Sequence, residues 1–172
     1  MVVGIVGAGL FEGYIRDYGN LIFSICYSMT GDYFDAEDLA QETFLAAYRS
    51  YDSFDGKNLK AWLTTIAANK CRDYLKHTAR RSTPVEDVFF DSLADPAPPT
   101  EEQVLASDAD RRLRLLCDRL KEPYRTVSLG HFCEGQTVAE MAEATGQNLR
   151  TLQTRLYRAK GMLKKLWKEE YR

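Results

Sequence analysis

Helical spacing of apolar residues runs along nearly the whole chain and fails in one long interval, between Ser82 and Thr100. That interval carries Pro84, Pro96, Pro98 and Pro99 among acids, with little periodicity. Proline removes a backbone donor and clashes with the preceding turn, so such a stretch is a tether between helical regions. The expectation is an all-α protein of two small helical domains. An N-terminal helical bundle over 11–81 and a C-terminal helix-turn-helix domain over 101–172 are joined by a flexible acidic linker over 82–100. Residues 1–10 read as an N-terminal arm, ordered only where its Val and Ile residues find a groove.

In the first module Tyr14, Ile15, Tyr18, Leu21, Ile22, Ile25, Cys26 and Met29 fall three and four apart, which is one face of an amphipathic helix. Thr30-Gly31-Asp32 ends it. Asp35 reads as the N-cap of a second helix, with Asp38 in its first turn. That helix has a buried stripe of Ala36, Leu39, Ala40, Thr43, Phe44, Ala47, Tyr48 and Tyr51, and an outer face of Glu37, Asp38, Gln41, Glu42 and Arg49. Asn58 is placed to cap a third helix with the stripe Trp62, Leu63, Ile66, Ala67, Cys71 and Tyr74. Three complementary stripes make a compact bundle.

The acids on the second helix are, taken alone, an ordinary solvated face. The third helix is less ordinary. Asn69, Asp73 and Lys76 share one stripe, flanked by Lys70, Arg72, Arg80 and Arg81, which is more cation than a helix C-terminus needs. The preceding loop, Tyr51-Asp52-Ser53-Phe54-Asp55-Gly56, supplies aromatic rings. Rings beside cations suit stacking and phosphate neutralisation on single-stranded or opened DNA, where an unpaired base is read on its edges.

In the second module Leu105, Leu113, Leu116 and Leu120 mark a core line, and Pro123 opens a short helix through Phe132 that Gly135 stops. Gly130 inside it costs roughly 1 kcal/mol relative to Ala, so close packing is expected there. Thr137-Val-Ala-Glu140 is a capping box, Gly146 is a stop, and Asn148 caps a last helix. The last helix buries Leu149, Leu152, Leu156, Ala159, Leu163 and Leu166/Trp167, and its outer face offers Arg150, Gln153, Thr154, Tyr157, Arg158 and Lys160. A helix, a glycine turn and a basic second helix fit a major-groove reader. The first turns of such a helix touch base edges, which makes Arg150, Thr151, Gln153 and Thr154 readers; Arg155, Arg158 and Lys160 hold phosphates.

Charge follows the same division. Seven Lys and Arg lie between Lys57 and Arg81 against Asp73 alone, and eight lie between Arg150 and Arg172 against two glutamates. Between Ser82 and Asp110 there are eight acids and no Lys or Arg. The formal net charge of -2 therefore conceals two basic patches and an acidic spacer.

Other classes find no support. The four cysteines are scattered without metal-ligand spacing, and His131 and Cys133 lack a second ligand pair, so no metal and no cofactor are expected. The run VVGIVGAGLFEG imitates a dinucleotide turn, but Glu12 stands where the last glycine belongs and helix follows where a second strand is required. Neither a membrane span nor a basic-headed signal peptide is present, and a reducing cytoplasm suits the thiols. No nucleophile–base pair suggests catalytic residues, so the chain is not read as an enzyme.

The segments DAEDLAQETFLAAYRSY (35–51), WLTTIAANKCRDYLK (62–76) and TVAEMAEATGQNLRTLQTRLYRAK (137–160) together resemble the bacterial RNA polymerase sigma factors of the extracytoplasmic-function (ECF) group. The resemblance implies an initiation factor that binds core RNA polymerase and promoter DNA, responds to stress or another signal, and is restrained by an anti-sigma protein. By it, Asp38, Gln41, Glu42 and Phe44 face or support the β′ clamp helices, and the second domain meets the β flap. Phe54, Trp62, Asn69, Arg72, Asp73 and Lys76 line or support melted minus-ten DNA, while the helix-turn-helix reads the minus-thirty-five element. Lys76 stands where the family usually carries Arg, which loses a bidentate contact. Thr145 and Gln147 stand where the turn usually has apolar residues, so a looser turn is expected. The alternative is a stand-alone helix-turn-helix regulator that binds duplex DNA without polymerase.

Overall fold

The structure, a computed structural model, describes the backbone of residues 3–81 and 99–171 and the side chains of residues 9–79 and 106–171. The linker expectations lie outside the described residues apart from the backbone of 99–100. The chain divides into two units, residues 1–106 and 107–172. All secondary structure among the described residues is helical.

In the first unit, α1 (Val3–Thr30), α2 (Tyr33–Ser50) and α3 (Leu59–Arg81) pack against one another. The segment expected as an arm is helical from Val3, and Phe11 is buried. The joint between α1 and α2 is tight. Gly31 adopts φ +66°, and its N–H reaches Tyr27 O at 2.8 Å, closing the last turn of α1. Asp32, not Asp35, is the N-cap: its Oδ1 accepts from Phe34 N at 3.0 Å and Asp35 N at 3.2 Å. The cap falls three residues early because Tyr33 and Phe34 are helical and buried, which periodicity counted from Ala36 does not reveal. Asp35 is instead a first-turn acid that accepts from Tyr74 Oη at 2.6 Å, tying α2 to α3. Burial and that bond push the Tyr74 phenol up to about 12. Ile22, Cys26, Phe34, Ala36, Ala47, Leu63, Ala67 and Cys71 are fully buried at the centre.

A 3₁₀ turn (Tyr51–Ser53) leads from α2 into the loop before α3. Gly56 at φ +77° and Asn58 at φ +46° turn the backbone, and Asn58 Oδ1 accepts from Ala61 N at 3.1 Å as the expected cap.

The second unit holds the remainder of α4 (Pro99–Arg119), then α5 (Tyr124–Ser128), which widens into a π turn (Leu129–Cys133), then α6 (Val138–Thr145) and α7 (Leu149–Tyr171). The expected single helix through Phe132 is thus two geometries in series. Gly130 is buried there, and a Cβ on it would sit 2.9 Å from Met141 Sδ and 3.0 Å from Gln136 Oε1, which is the close packing the sequence implied. Leu113, Leu116, Cys117, Ala159, Leu163 and Trp167 are fully buried. Leu152 is buried too, but Leu149 is 44% exposed and Leu156 half-buried, so the core stripe of α7 begins a turn later than its first leucine.

The capping box forms as read. Thr137 Oγ1 accepts from Glu140 N at 3.2 Å, and Glu140 Oε2 accepts from Thr137 N at 2.7 Å and from its hydroxyl at 2.8 Å. The Thr137 backbone bond, and then its hydroxyl, hold the Glu140 carboxyl below the usual range. A carboxylate with a folded-state pKa below its unfolded value stabilises above the unfolded pKa, and that stabilisation fades as pH falls through the folded one. Thr137→Ala is expected to cost about 1 kcal/mol. Amide exchange in α6 measures it, and in the wild type the same amides should lose protection on acidification below the normal glutamate range.

The scattered cysteines meet in pairs, which spacing alone does not disclose. Cys26 of α1 and Cys71 of α3 share a thiol hydrogen bond, and with burial it pushes the Cys26 thiol up, so Cys26 keeps the proton. Cys117 of α4 and Cys133 of the π turn pair likewise, and burial raises both, Cys117 to about 12. All four are free thiols. Cys26, Cys71 and Cys117 serve as small buried groups; the Cys26 bond lowers the Cys71 thiol, while thiolate formation is disfavoured at Cys26, Cys117 and Cys133.

Candidate nucleic-acid and partner interfaces

The α1 and α2 helices are wider in apolar residues than their buried faces. Ile15, Leu45 and Tyr48 remain 49%, 54% and 46% exposed. The sequence placed Ile15 and Tyr48 in the core; in the structure they border an apolar furrow between the two helices. Its cavity of about 470 Å³ is floored by Phe11, Phe23 and Phe44 and edged by Glu37 and Gln41. Phe44, one of the four partner-facing candidates, is buried and supports this furrow from beneath. Gln41 and Glu42 are exposed beside it, and Asp38 is half-buried one turn earlier. Glu42 also lies 3.8 Å from Lys70 Nζ, an exposed pair of little energetic weight. An exposed apolar strip with a polar rim is the signature of a protein-docking surface. Its signal in the sequence was an excess of apolar positions over what one helical face accommodates.

The loop and α3 bring the second set of candidates together. Phe54 and Trp62 stack with centroids 4.5 Å apart and planes 23° from parallel. Both are half-buried, so the stack keeps an accessible side. Trp62, Asn69, Asp73 and Lys76 follow one stripe of α3 at intervals of seven, four and three residues. Asn69, Asp73 and Lys76 are exposed, and Arg72 Nη1 donates to Asn69 Oδ1 at 2.6 Å. That bond fixes the guanidinium along the stripe. Sequence reading did not anticipate how the stack is held from behind. Tyr51 and Phe11 lie behind it, and the Tyr51 and Tyr14 hydroxyls are 3.2 Å apart. That bond, more than burial, raises Tyr14 to about 12.

In the second unit, Gly146 at φ +66° ends α6, and Asn148 Oδ1 accepts from Arg150 N at 2.9 Å to start α7. The outer face presents Arg150, Thr151, Gln153, Thr154 and Arg158, all exposed. Tyr157, to which the sequence gave no role, is 81% exposed among them. Lys160 is half-buried, and Arg155 Nη1 donates to Gln147 Oε1 at 2.5 Å across the turn. At the two unusual turn positions the structure finds local polar bonds: Gln147 holds Arg155, and Thr145 Oγ1 donates back to Met141 O at 2.7 Å. Among the described residues no cluster of three His, Cys, Asp or Glu is placed to hold a metal, and His131 Nδ1 pairs with Gln136 O at 3.0 Å. No helix among the described residues is long and apolar enough to cross a membrane.

A helical unit with an aromatic, cationic face and a second unit built as a helix-turn-helix define a two-part DNA-binding class. The family model described as Sigma-70 region 2 matches residues 14–81, and that described as Sigma-70, region 4 matches residues 110–163. The chain is 29% identical over 164 residues to the ECF RNA polymerase sigma factor SigW of Bacillus subtilis, covering 90% of this chain and 87% of SigW. It is 31% identical over 139 residues to the ECF RNA polymerase sigma-E factor of Haemophilus influenzae, covering 75% and 72%. Among solved structures, the sigma factor RpoE in complex with the anti-sigma factor NepR from Bartonella quintana aligns at 22% identity over 93% of this chain and 98% of that one, with a TM-score of 0.39. The chain belongs to the sigma-70 family, within its ECF group: it is an RNA polymerase sigma factor that directs promoter-specific initiation of transcription.

Proposed function

We propose that the two faces of the first unit divide the work of initiation. The furrow between α1 and α2, with Asp38, Gln41 and Glu42 at or near its rim and Phe44 beneath, docks the β′ clamp helices of core polymerase. The opposite task falls to the Phe54–Trp62 stack and the α3 stripe. Phe54 and Trp62 offer a platform to an unpaired base of the minus-ten element, Asn69 and Asp73 lie along its strand, and Arg72 and Lys76 neutralise phosphates. In the second unit Arg150, Thr151, Gln153 and Thr154 read minus-thirty-five base edges, Arg155, Arg158 and Lys160 hold phosphates, and the unit meets the β flap. Arg155 must exchange Gln147 for phosphate to do so.

One observation carries this reading. The apolar furrow and the aromatic, cationic stripe are separate sets of residues on one three-helix bundle, which suits simultaneous contact with a protein and a strand. Two modest DNA contacts on one chain raise each other's effective concentration, so neither need be tight alone. The chain acts in the cytoplasm as a non-enzymatic factor, responds to stress or another signal, and is restrained by an anti-sigma protein covering the same surfaces. Run-off transcription with bacterial core polymerase tests the proposal: defined start sites are expected only when the chain is added. Tight, specific duplex binding by the free protein, with no start sites in the presence of core, would refute it.

A further inference from the structure

Tyr51 is neither a polymerase-facing nor a DNA-facing candidate, yet it sits where three elements meet. It opens the 3₁₀ turn at the end of α2, half-buried, with its ring 5.3 Å from Phe11 of α1, 6.0 Å from Phe54 of the loop and 6.4 Å from Trp62 of α3. Its hydroxyl is 3.2 Å from that of Tyr14, so α1 holds it by a ring contact and a polar one. Phe11 is itself wedged between Tyr14 and Tyr48 at 5.3 and 5.2 Å.

The loop beyond it has little else to set its shape. Phe54 N–H reaches Tyr51 O at 3.0 Å, and the Lys57 N–H reaches Asp55 Oδ1 at 2.9 Å. From Asp55 to Asn58 every residue is exposed, and both Gly56 and Asn58 have positive φ. Asn58 in that region is disfavoured relative to glycine. A loop of this kind keeps one conformation only when something packs against it, and the packing here is Phe54 on Trp62 at 4.5 Å, with the Tyr51 ring behind both.

We propose that Tyr51, fixed by Tyr14 and Phe11, is a positioning residue that holds the Phe54–Trp62 stack in the geometry that accepts an unpaired DNA base. The inference rests on the assignment of that stack to opened DNA and extends it to α1, a helix with no DNA residue of its own. Tyr51 does not touch the base; it sets where the touching rings stand. Edge-on and tilted ring contacts of this kind are directional, so removal of the central ring frees the outer two.

The test uses the full chain labelled with fluorotryptophan, whose resonances from Trp62 and Trp167 are assigned with Trp62→Phe. The DNA probe is a single strand selected from a randomised pool by wild-type chain bound to core polymerase. Tyr51→Ala is expected to weaken strand binding by the polymerase-bound chain about tenfold, to leave association with core unchanged, and to shift the Trp62 resonance but not that of Trp167. Tyr51→Phe keeps the ring and is expected to recover most of the strand binding. Wild-type strand binding by Tyr51→Ala, an unmoved Trp62 resonance, or parallel loss of core association would each overturn the proposal. Should the wild-type complex select no strand, the DNA assignment itself fails, and the Trp62 resonance still reports whether Tyr51 shapes the loop.

Discussion

Asn69→Ala combined with Arg72→Ala is expected to lower open-complex formation about tenfold while core polymerase still captures the chain. Asn69 lies on the exposed stripe and the half-buried Arg72 flanks it, and the two are joined by the 2.6 Å bond that aligns the guanidinium. The double change removes one cation from the strand and one amide from base-edge reach. It touches no buried group, so the fold should persist. Asp38→Ala with Glu42→Ala is expected to do the reverse, weakening capture by core more than melting within the complexes that form. The Glu42–Lys70 pair lost in that variant is exposed and worth at most about 1 kcal/mol, and thermal melting of the free variant checks that the bundle stays folded. Permanganate reactivity of the opened strand and fluorescence polarisation with core separate the two readouts. Identical behaviour of the two double variants would remove the basis for assigning separate faces.

The second large effect concerns the C-terminal unit. Trp167→Ala is expected to unfold it. Trp167 is fully buried, packs on Tyr171 at 5.0 Å, and stands in a core with Leu113, Leu116 and Leu163. Around it α4 and α7 are joined by the Arg119–Glu170 ion pair and by Arg112 over the Tyr171 ring at 5.2 Å. Truncating a buried tryptophan to alanine costs about 3–5 kcal/mol. A single core in a unit this small rarely supplies more than that, so the loss matches the whole stability. Circular dichroism should show loss of the helical signal assigned to residues 107–172. Upstream promoter contacts should vanish with it, while docking through the first unit survives. Retention of the full helical signal at 37 °C would contradict the assignment of Trp167 as the keystone of that core.

The helices themselves were legible because their causes are local. The stripes of α2 and α3, the Thr137–Glu140 box, the Gly146 stop and the Asn58 and Asn148 caps follow from residue type and spacing, and the structure places them there. What escaped was set by neighbours distant in sequence. Asp32 outcompetes Asp35 as a cap because α1 and α3 give Tyr33 and Phe34 a core to enter. Ile15 and Tyr48 obey helical spacing, yet the third helix covers only part of what α1 and α2 expose, so they border a furrow instead. Leu149 has core periodicity, but it lies in the first turn of α7, before the helix reaches its packing partners. The cysteine pairs join positions 45 and 16 residues apart, which only the fold can bring together (71 − 26 and 133 − 117). The aromatic loop and the cations of α3 were conspicuous by residue type, whereas the six minus-ten candidates as a set came from the family resemblance. Tyr51 was counted both on the α2 stripe and among the loop aromatics, and its place behind the Phe54–Trp62 stack emerges only from the fold.

The furrow has a practical corollary for anyone handling the isolated chain. Leucine, isoleucine and tyrosine left facing water on adjacent helices will seek hydrophobic company, whether that is a cognate helix, a detergent tail or a neighbouring copy in concentrated solution. Low purification yields, or smearing on a sizing column, would then reflect an unsheathed contact strip in an otherwise well-formed molecule.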